Sequence, residues 1–424
     1  MHLLSPKNAL AAALVVAIPT VMLACGDDDD VAPGGTGGSS TSTSTSTSTT
    51  SSSTSSTGTG GEKPVEEVSG SITEDTTFTS DSDWLLQGIV RVEPGATLTI
   101  EPGTTIMGET SSLGTLLIKN GAQIEAAGTA EQPIVFTSQL PPGQRAAGDW
   151  GGLVILGNAP INEPGGTAAI EGFTTDESYG GNDPGDSSGT LQYVRIEFSG
   201  IEISTDNEIN GLTMGGVGDG TTIDHIMVRH TLDDCFEWFG GTVNASHLIC
   251  YRNGDDGFDF DEGYIGNLQF LVLHQNPQTA DDPNGFEGDN DKDAPDSTPL
   301  THPTIYNVTL CGQNEDVPKQ QYGFVFRRGF NATIGNAIVM GFEAGRLFQL
   351  ENPDAPIDDP VGAYAPENAT PQAPGTPALV SRDGQRLGCG ACRQLLGDVA
   401  DGLPTICPRC GAPTAPPEGW TVEG

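Results

Sequence analysis

Short stretches of apolar–polar alternation, broken by glycine at recurring offsets, run through the middle of the chain. Residues 88–106 read G-I-V-R-V-E-P-G-A-T-L-T-I-E-P-G-T-T-I, and residues 114–128 read G-T-L-L-I-K-N-G-A-Q-I-E-A-A-G. Both contain the phrase apolar-x-x-Gly-Ala-x-apolar-x-apolar. A period of two places alternate side chains on opposite faces, which predicts short β-strands. Turns at fixed offsets between such strands predict a solenoid. Downstream the spacing settles at 22 residues: Asp233-Asp234 recurs as Asp255-Asp256. The same offset puts His225 on His247, Val228 on Cys250, Phe236 on Phe258 and Gly241 on Gly263. A further step of equal length puts His247 on Gln269, Leu248 on Phe270 and Cys250 on Val272, with an insertion before Gly285-Phe286-Glu287. No coil of this kind can bury its inward face alone, so its stability comes from stacked neighbours. Residues 68–350 are expected to form on the order of ten coils of an all-β parallel β-helix.

Composition narrows the function classes. The 17 Lys and Arg stand against 57 Asp and Glu, a net charge of −40. Such a field repels a phosphate backbone and excludes nucleic acid as a partner. It also disfavours acidic polysaccharides unless a cation bridges. The 58 Gly and 30 Pro work against a helical enzyme.

The N-terminus reads as an export signal over residues 1–24. Lys7 precedes an apolar run from Ala9 to Leu23 that contains Pro19, too short to span a bilayer comfortably and ending in small residues. The stretch Met22-Leu23-Ala24-Cys25-Gly26 resembles a bacterial lipoprotein box, with Met22 where Leu is usual. That resemblance implies acylation of Cys25. Asp27 to Asp30 and the Gly/Ser/Thr tract from Gly34 to Gly61 cannot bury apolar surface, so residues 25–67 are expected to form a disordered tether. Gly26, rather than Asp, after the Cys implies the outer membrane by the enteric sorting habit, and hence a lipid-anchored cell-surface protein.

The phrases G-D-W-G-G-L-V-I-L-G (148–157), L-Q-Y-V-R-I-E-F-S-G (191–200), C-F-E-W-F-G-G-T-V (235–243) and D-G-F-D-F-D-E-G-Y-I-G-N-L-Q-F (256–270) resemble bacterial surface-associated right-handed parallel β-helix proteins of the pectin-lyase-like group. The resemblance covers roughly residues 90–350. It implies a fold and a surface location, and carries no activity with it.

Candidate chemistry lies on the aligned coils. Phe236, Phe258 and Phe286 should stack inward, which turns Glu237, Asp259 and Glu287 outward in a second ladder. Carboxylates one strand spacing apart, ~4.8 Å, repel by about 1 kcal/mol in water and ~3–4 kcal/mol at an effective dielectric of 20. Calcium, which takes six to eight oxygen ligands, is one reason to tolerate three in a column. Asp233, Asp234, Asp255, Asp256, Asp261, Asp289 and Asp291 lie close by in the alignment. A solvated acidic face is the plainer reading. A catalytic reading would pair Asp256 and Asp259 with His230 or Arg252, in a basic column continued by His274. Paired carboxylates suit acid–base work on a glycosidic bond, but the Gly-His-Gly and Arg-x-Lys of the hydrolases on this fold do not occur. Trp150 and Trp238 read as core rather than sugar platforms.

Eight cysteines complete the inventory. Cys235 and Cys250 lie on adjacent coils, but the 22-residue register sets Cys250 over Val228, so a disulfide between them stays open; Cys311 reads as unpaired. Cys389-Gly-Ala-Cys392 and Cys407-Pro-Arg-Cys410 are separated by residues 393–406. Two C-x-x-C knuckles at this spacing present four thiolates as a tetrahedron. The segment 381–424 resembles a zinc ribbon or a short rubredoxin-like module, which implies zinc or iron; two disulfides are the alternative in an oxidising compartment. The proline-rich stretch 351–380 reads as a linker. The reading as a whole is a cell-surface lipoprotein with a non-enzymatic binding or scaffold β-helix facing a surface glycan or protein, with a polysaccharide lyase or hydrolase as the alternative.

Overall fold

Ile72, Val92, Ile118, Ile155, Met214, Trp238, Phe260, Gly288, Phe326 and Leu350 follow one another in register, one per rung, and every pairing between them is parallel. The structure, a computed structural model, describes residues 63–342 except 176, 205–206, 276–282 and 314–321. It also gives the backbone of strands Phe348–Leu350, Arg386–Gly388 and Leu395–Asp398. The rungs form a parallel β-helix, as the alternation of apolar positions requires. The first strand, Val65–Ile72, pairs with Asp83–Val92. The phrase shared by the early coils is a true repeat, since Val92 pairs with Ile118 and Leu98 with Ile124. No helix among the described residues is long and apolar enough to cross a membrane.

The coils turn by a device that sequence alternation does not advertise. Tyr193, His225, His247, Phe270, Asn307 and Asn336 all have φ between 49° and 63°. Their neighbours pair in register, so these six form one column. A left-handed residue bends each strand in mid-course. This is how the single strand Gly189–Glu197 follows both Gln123–Ala127 and Ile134–Ser138 of the coil before it.

The 22-residue register holds from Thr222–Arg229 to Ala245–Tyr251 and from Phe236–Phe239 to Phe258–Asp261. The next step does not keep it. Ser246 pairs with Gln269, Leu248 with Leu271 and Cys250 with Leu273, a 23-residue coil. One extra residue sits in the turn between Asp261 and Leu268. Phe286 again pairs with Phe258, past the expected insertion.

Inside, Phe236, Phe258, Phe286 and Phe324 stack with centroids 5.2–5.4 Å apart. Trp150 and Trp238 are fully buried core residues. Outside, two excursions, 157–188 and 200–210, fold back over one face of the strands. Their Ile161, Ile170, Tyr179, Ile201 and Ile209 bury a second apolar cluster against the outward-facing Leu117, Val154, Leu156 and Phe239. Gly215 makes room for this roof: a Cβ there would lie 2.8 Å from the Tyr179 ring. Glu177 ties the roof down, 2.7 Å from Arg91 and 3.5 Å from Lys119 of earlier coils.

Cys235 and Cys250 form a disulfide with Cα atoms 5.7 Å apart. The register is as expected, with Cys250 on Val228. Cys235 enters the interior from the adjoining turn, its Sγ 3.9 Å from the Val228 carbonyl. Cys311 is also disulfide-bonded, which corrects the expectation that it stands unpaired. The export signal, most of the tether, Cys25, the proline-rich linker and Cys389, Cys392, Cys407 and Cys410 lie outside the described residues. Within 381–424 the described backbone is an antiparallel pair, Arg386–Gly388 with Leu395–Asp398.

Candidate functional site

Four Asx residues run up one corner of the coil as a ladder. The Asp234 N–H donates to Asn210 Oδ1 (3.2 Å), Asp256 N–H to Asp234 Oδ1 (2.6 Å), Asn284 N–H to Asp256 Oδ1 (2.6 Å) and Tyr322 N–H to Asn284 Oδ1 (3.1 Å). Each side chain thus satisfies a turn amide of the next coil. All four Asx residues are buried. The sequence signal is there in hindsight: Asn210-Gly211-Leu212, Asp234-Cys235-Phe236, Asp256-Gly257-Phe258 and Asn284-Gly285-Phe286 share an Asx two residues before a core position.

Beside the ladder stands the acidic column. Thr213, Glu237, Asp259, Glu287 and Val325 are in register, so the three carboxylates foreseen from sequence do stack. Their exposure is uneven: Glu237 is only 8% exposed, whereas Asp259 and Glu287 are half-buried. The roof adds acids of its own: Glu171 and Glu208 act electrostatically on each other, and Glu171 on Asp259. Tyr179 donates its hydroxyl to Glu262 across the contact.

Both ends of the column accept a hydrogen bond from an Asn side chain, and Glu287 is also paired with arginine. Asn210 Nδ2 donates to Glu237 Oε2, and Asn284 Nδ2 to Glu287 Oε2 (3.3 Å). Arg327 pairs with Glu287 and, at 2.7 Å, with Asp289; Arg328 reaches Asp289 at 2.8 Å. Three groups along the column and the ladder have ligand oxygens within 4.8 Å of one another: Asp233–Asp234–Asp255, Asp234–Glu237–Asp259 and Asp256–Asp259–Glu287. Burial, followed by mutual repulsion, raises these carboxyls. Asp233, Asp234, Glu237 and Asp256 rise well above the usual range, Asp259 to about 7, and Asp261 and Glu171 to about 8. Glu262 rises to about 7, burial outweighing the Tyr179 hydrogen bond. The Asp233 Oδ2 and Thr213 Oγ1 atoms are buried without a hydrogen-bond partner. Clustered carboxylate oxygens with a spare hydroxyl are the donor set of a hard divalent cation.

The basic residues of the foreseen catalytic pairing, His230 and Arg252, sit among arginines and aromatic rings. The charges acting on His230 are those of Arg229 and Arg252; burial first, then these two, lower its pKa to about 4. His230 stacks on Phe198 at 5.2 Å and meets the Tyr251 ring edge-on. The Arg252 guanidinium lies 5.2 Å over Tyr251. His274 is not in their column, since it pairs with Tyr251; the residue that follows Arg252 in register is Gln275, which is buried.

A parallel β-helix with a roofed acidic column defines the class of protein. The chain belongs to the pectate-lyase-like beta helix domain family, whose match spans residues 70–361. No curated protein and no solved structure gives a significant match.

Proposed function

We propose that this chain is an exported lipoprotein whose β-helix is a calcium-stabilised, non-enzymatic scaffold at the cell surface, presenting its faces to a surface glycan or protein. Acylated Cys25 would hold it in the outer membrane, and residues 25–67 would tether it. Cys389, Cys392, Cys407 and Cys410 would close a structural zinc or iron site. The observation that carries the scaffold reading is the roof. Glu237 and Asp234, carboxyls that burial raises well above the usual range, are buried, and the basic residues His230 and Arg252 belong to another column. A closed cation site of that kind holds coils together and leaves little room for a sugar ring.

One observation favours a polysaccharide-active lyase or hydrolase: Asp259 and Glu262, lifted to about 7, have the proton affinity that an acid–base group needs near neutrality. The test separates the two. The purified chain, with calcium, is incubated with neutral and acidic polysaccharides, and new reducing ends and unsaturated sugars are measured. The scaffold reading expects none above background. Product that disappears in Asp259→Asn would replace it with the enzyme.

A further inference from the structure

Two of the six histidines stand face to face at the bends of the neighbouring strands Thr222–Arg229 and Ala245–Tyr251. His225 and His247 are successive members of the left-handed column, their rings 4.1 Å apart and 15° from parallel. One carboxylate serves both: Asp224 Oδ2 lies 2.8 Å from His225 Nδ1 and Asp224 Oδ1 lies 2.9 Å from His247 Nδ1. Carboxylates only accept, so each Nδ1 carries the proton it donates. The 22-residue coil produces the juxtaposition by setting histidine on histidine.

The arrangement is held from outside. Ser246 Oγ donates to Asp224 Oδ1 at 2.6 Å and Gln192 Nε2 to Asp224 Oδ2 at 3.3 Å. Tyr193 stacks on His225 at 4.3 Å and Phe270 on His247 at 4.8 Å. The imidazoles remain accessible, with side chains 36% and 43% exposed. All three donor atoms fall within 4.8 Å of one another.

We propose that Asp224, His225 and His247 form a surface site for a divalent first-row transition ion of the zinc or copper type. Two imidazole nitrogens and one carboxylate oxygen are the donors such ions select, whereas the oxygen-only column suits a hard cation. The ion takes the place of the two Nδ1 protons, and each ring then carries its proton on Nε2. The rings rotate about their Cβ–Cγ bonds so that the lone pairs converge, which loosens the stacks on Tyr193 and Phe270. Ser246 and Gln192 are positioning residues, fixing the carboxylate as hydrogen-bonded second-layer groups do. Three protein donors leave coordination positions to water.

The test is a zinc titration of the full chain with 15N-labelled histidine, in excess calcium so that oxygen sites are filled. Imidazole nitrogen signals of His225 and His247 should shift together and saturably, while those of His230, His274 and His302 stay in place. His247→Asn should abolish the shift of the remaining partner without loss of fold, because Asn already occupies this column at 307 and 336. Ser246→Ala should weaken zinc by about tenfold. Signals that stay fixed in the folded wild type, or an unchanged His225 response in folded His247→Asn, would overturn the site.

Discussion

Asp234 Oδ1 accepts the backbone N–H of Asp256 at 2.6 Å, the same contact that Asn210 Oδ1 makes to Asp234 one coil earlier. An amide and a carboxylate therefore do one structural job in adjacent rungs. At the ladder's ends the residue is Asn, whose Nδ2 also donates a hydrogen bond to a neighbouring glutamate. In the middle it is Asp, twice, beside Glu237 and Asp259. Hydrogen bonding alone does not call for those charges, since Asn accepts equally well. A cation held between the coils does.

Asp256→Asn should accordingly stabilise the metal-free protein. At pH 8 with chelator it keeps the ladder and removes a carboxyl that burial and the neighbouring Asp255 and Asp259 make costly to ionise, for a gain of about 1–3 kcal/mol in denaturant unfolding. The gain should shrink as pH falls toward ~4, where the unfolded chain also protonates this carboxyl. Asp259 and Glu262, raised to about 7, bind protons in the folded state that the unfolded chain binds only near pH ~4, so metal-free stability falls as pH rises from ~4 to ~8.

Tyr179→Phe should loosen the roof. It leaves the half-buried Glu262 carboxyl without its hydroxyl donor, a loss of about 1–2 kcal/mol. Urea denaturation reads the effect, and proteolysis within 157–188 should become faster than in the wild type.

The fold was legible in the sequence because stacked coils repeat their core positions: Phe236, Phe258 and Phe286 announce themselves. The slip at the next coil came from a single extra turn residue before Leu268, which apolar alternation on either side does not reveal. The acidic column was legible for the same reason as the phenylalanines, being its alternate face. The burial of Glu237 was not, because residues outside the repeat pack over these coils: Tyr179 meets Glu262 across 83 positions. The Cys235–Cys250 bond was hidden differently, since strand register describes neighbours along a ladder and this bridge joins a turn to a strand across the interior.

His230 should destabilise the protein in acid. Its pKa falls from the ordinary 6.5 to about 4 on folding. Between those values the unfolded chain binds the extra proton, so stability drops as pH falls through that window. His230→Gln lacks the effect, and its melting temperature should rise relative to wild type between pH 7 and pH 4. A constant difference across the range would rule out a proton-linked role for His230.

Cys25→Ser should release the protein from the membrane fraction or leave the precursor uncut. Mass spectrometry of the mature N-terminus checks it: a diacyl-glyceryl or triacylated Cys25 is the expected species, and an unmodified mature chain beginning elsewhere would contradict lipid anchoring.

Calcium binding tests the account most directly. The purified chain is stripped with chelator and its melting temperature followed as calcium is returned, for wild type and for Asp259→Asn, a carboxylate that joins the two clusters containing glutamate. Because a ligand that binds only the folded state stabilises it, calcium at a hundred times its dissociation constant should add about 2.7 kcal/mol to the wild type, and most of that increment should vanish in Asp259→Asn. A wild-type melting temperature that is the same with chelator and with saturating calcium would contradict a cation-held coil.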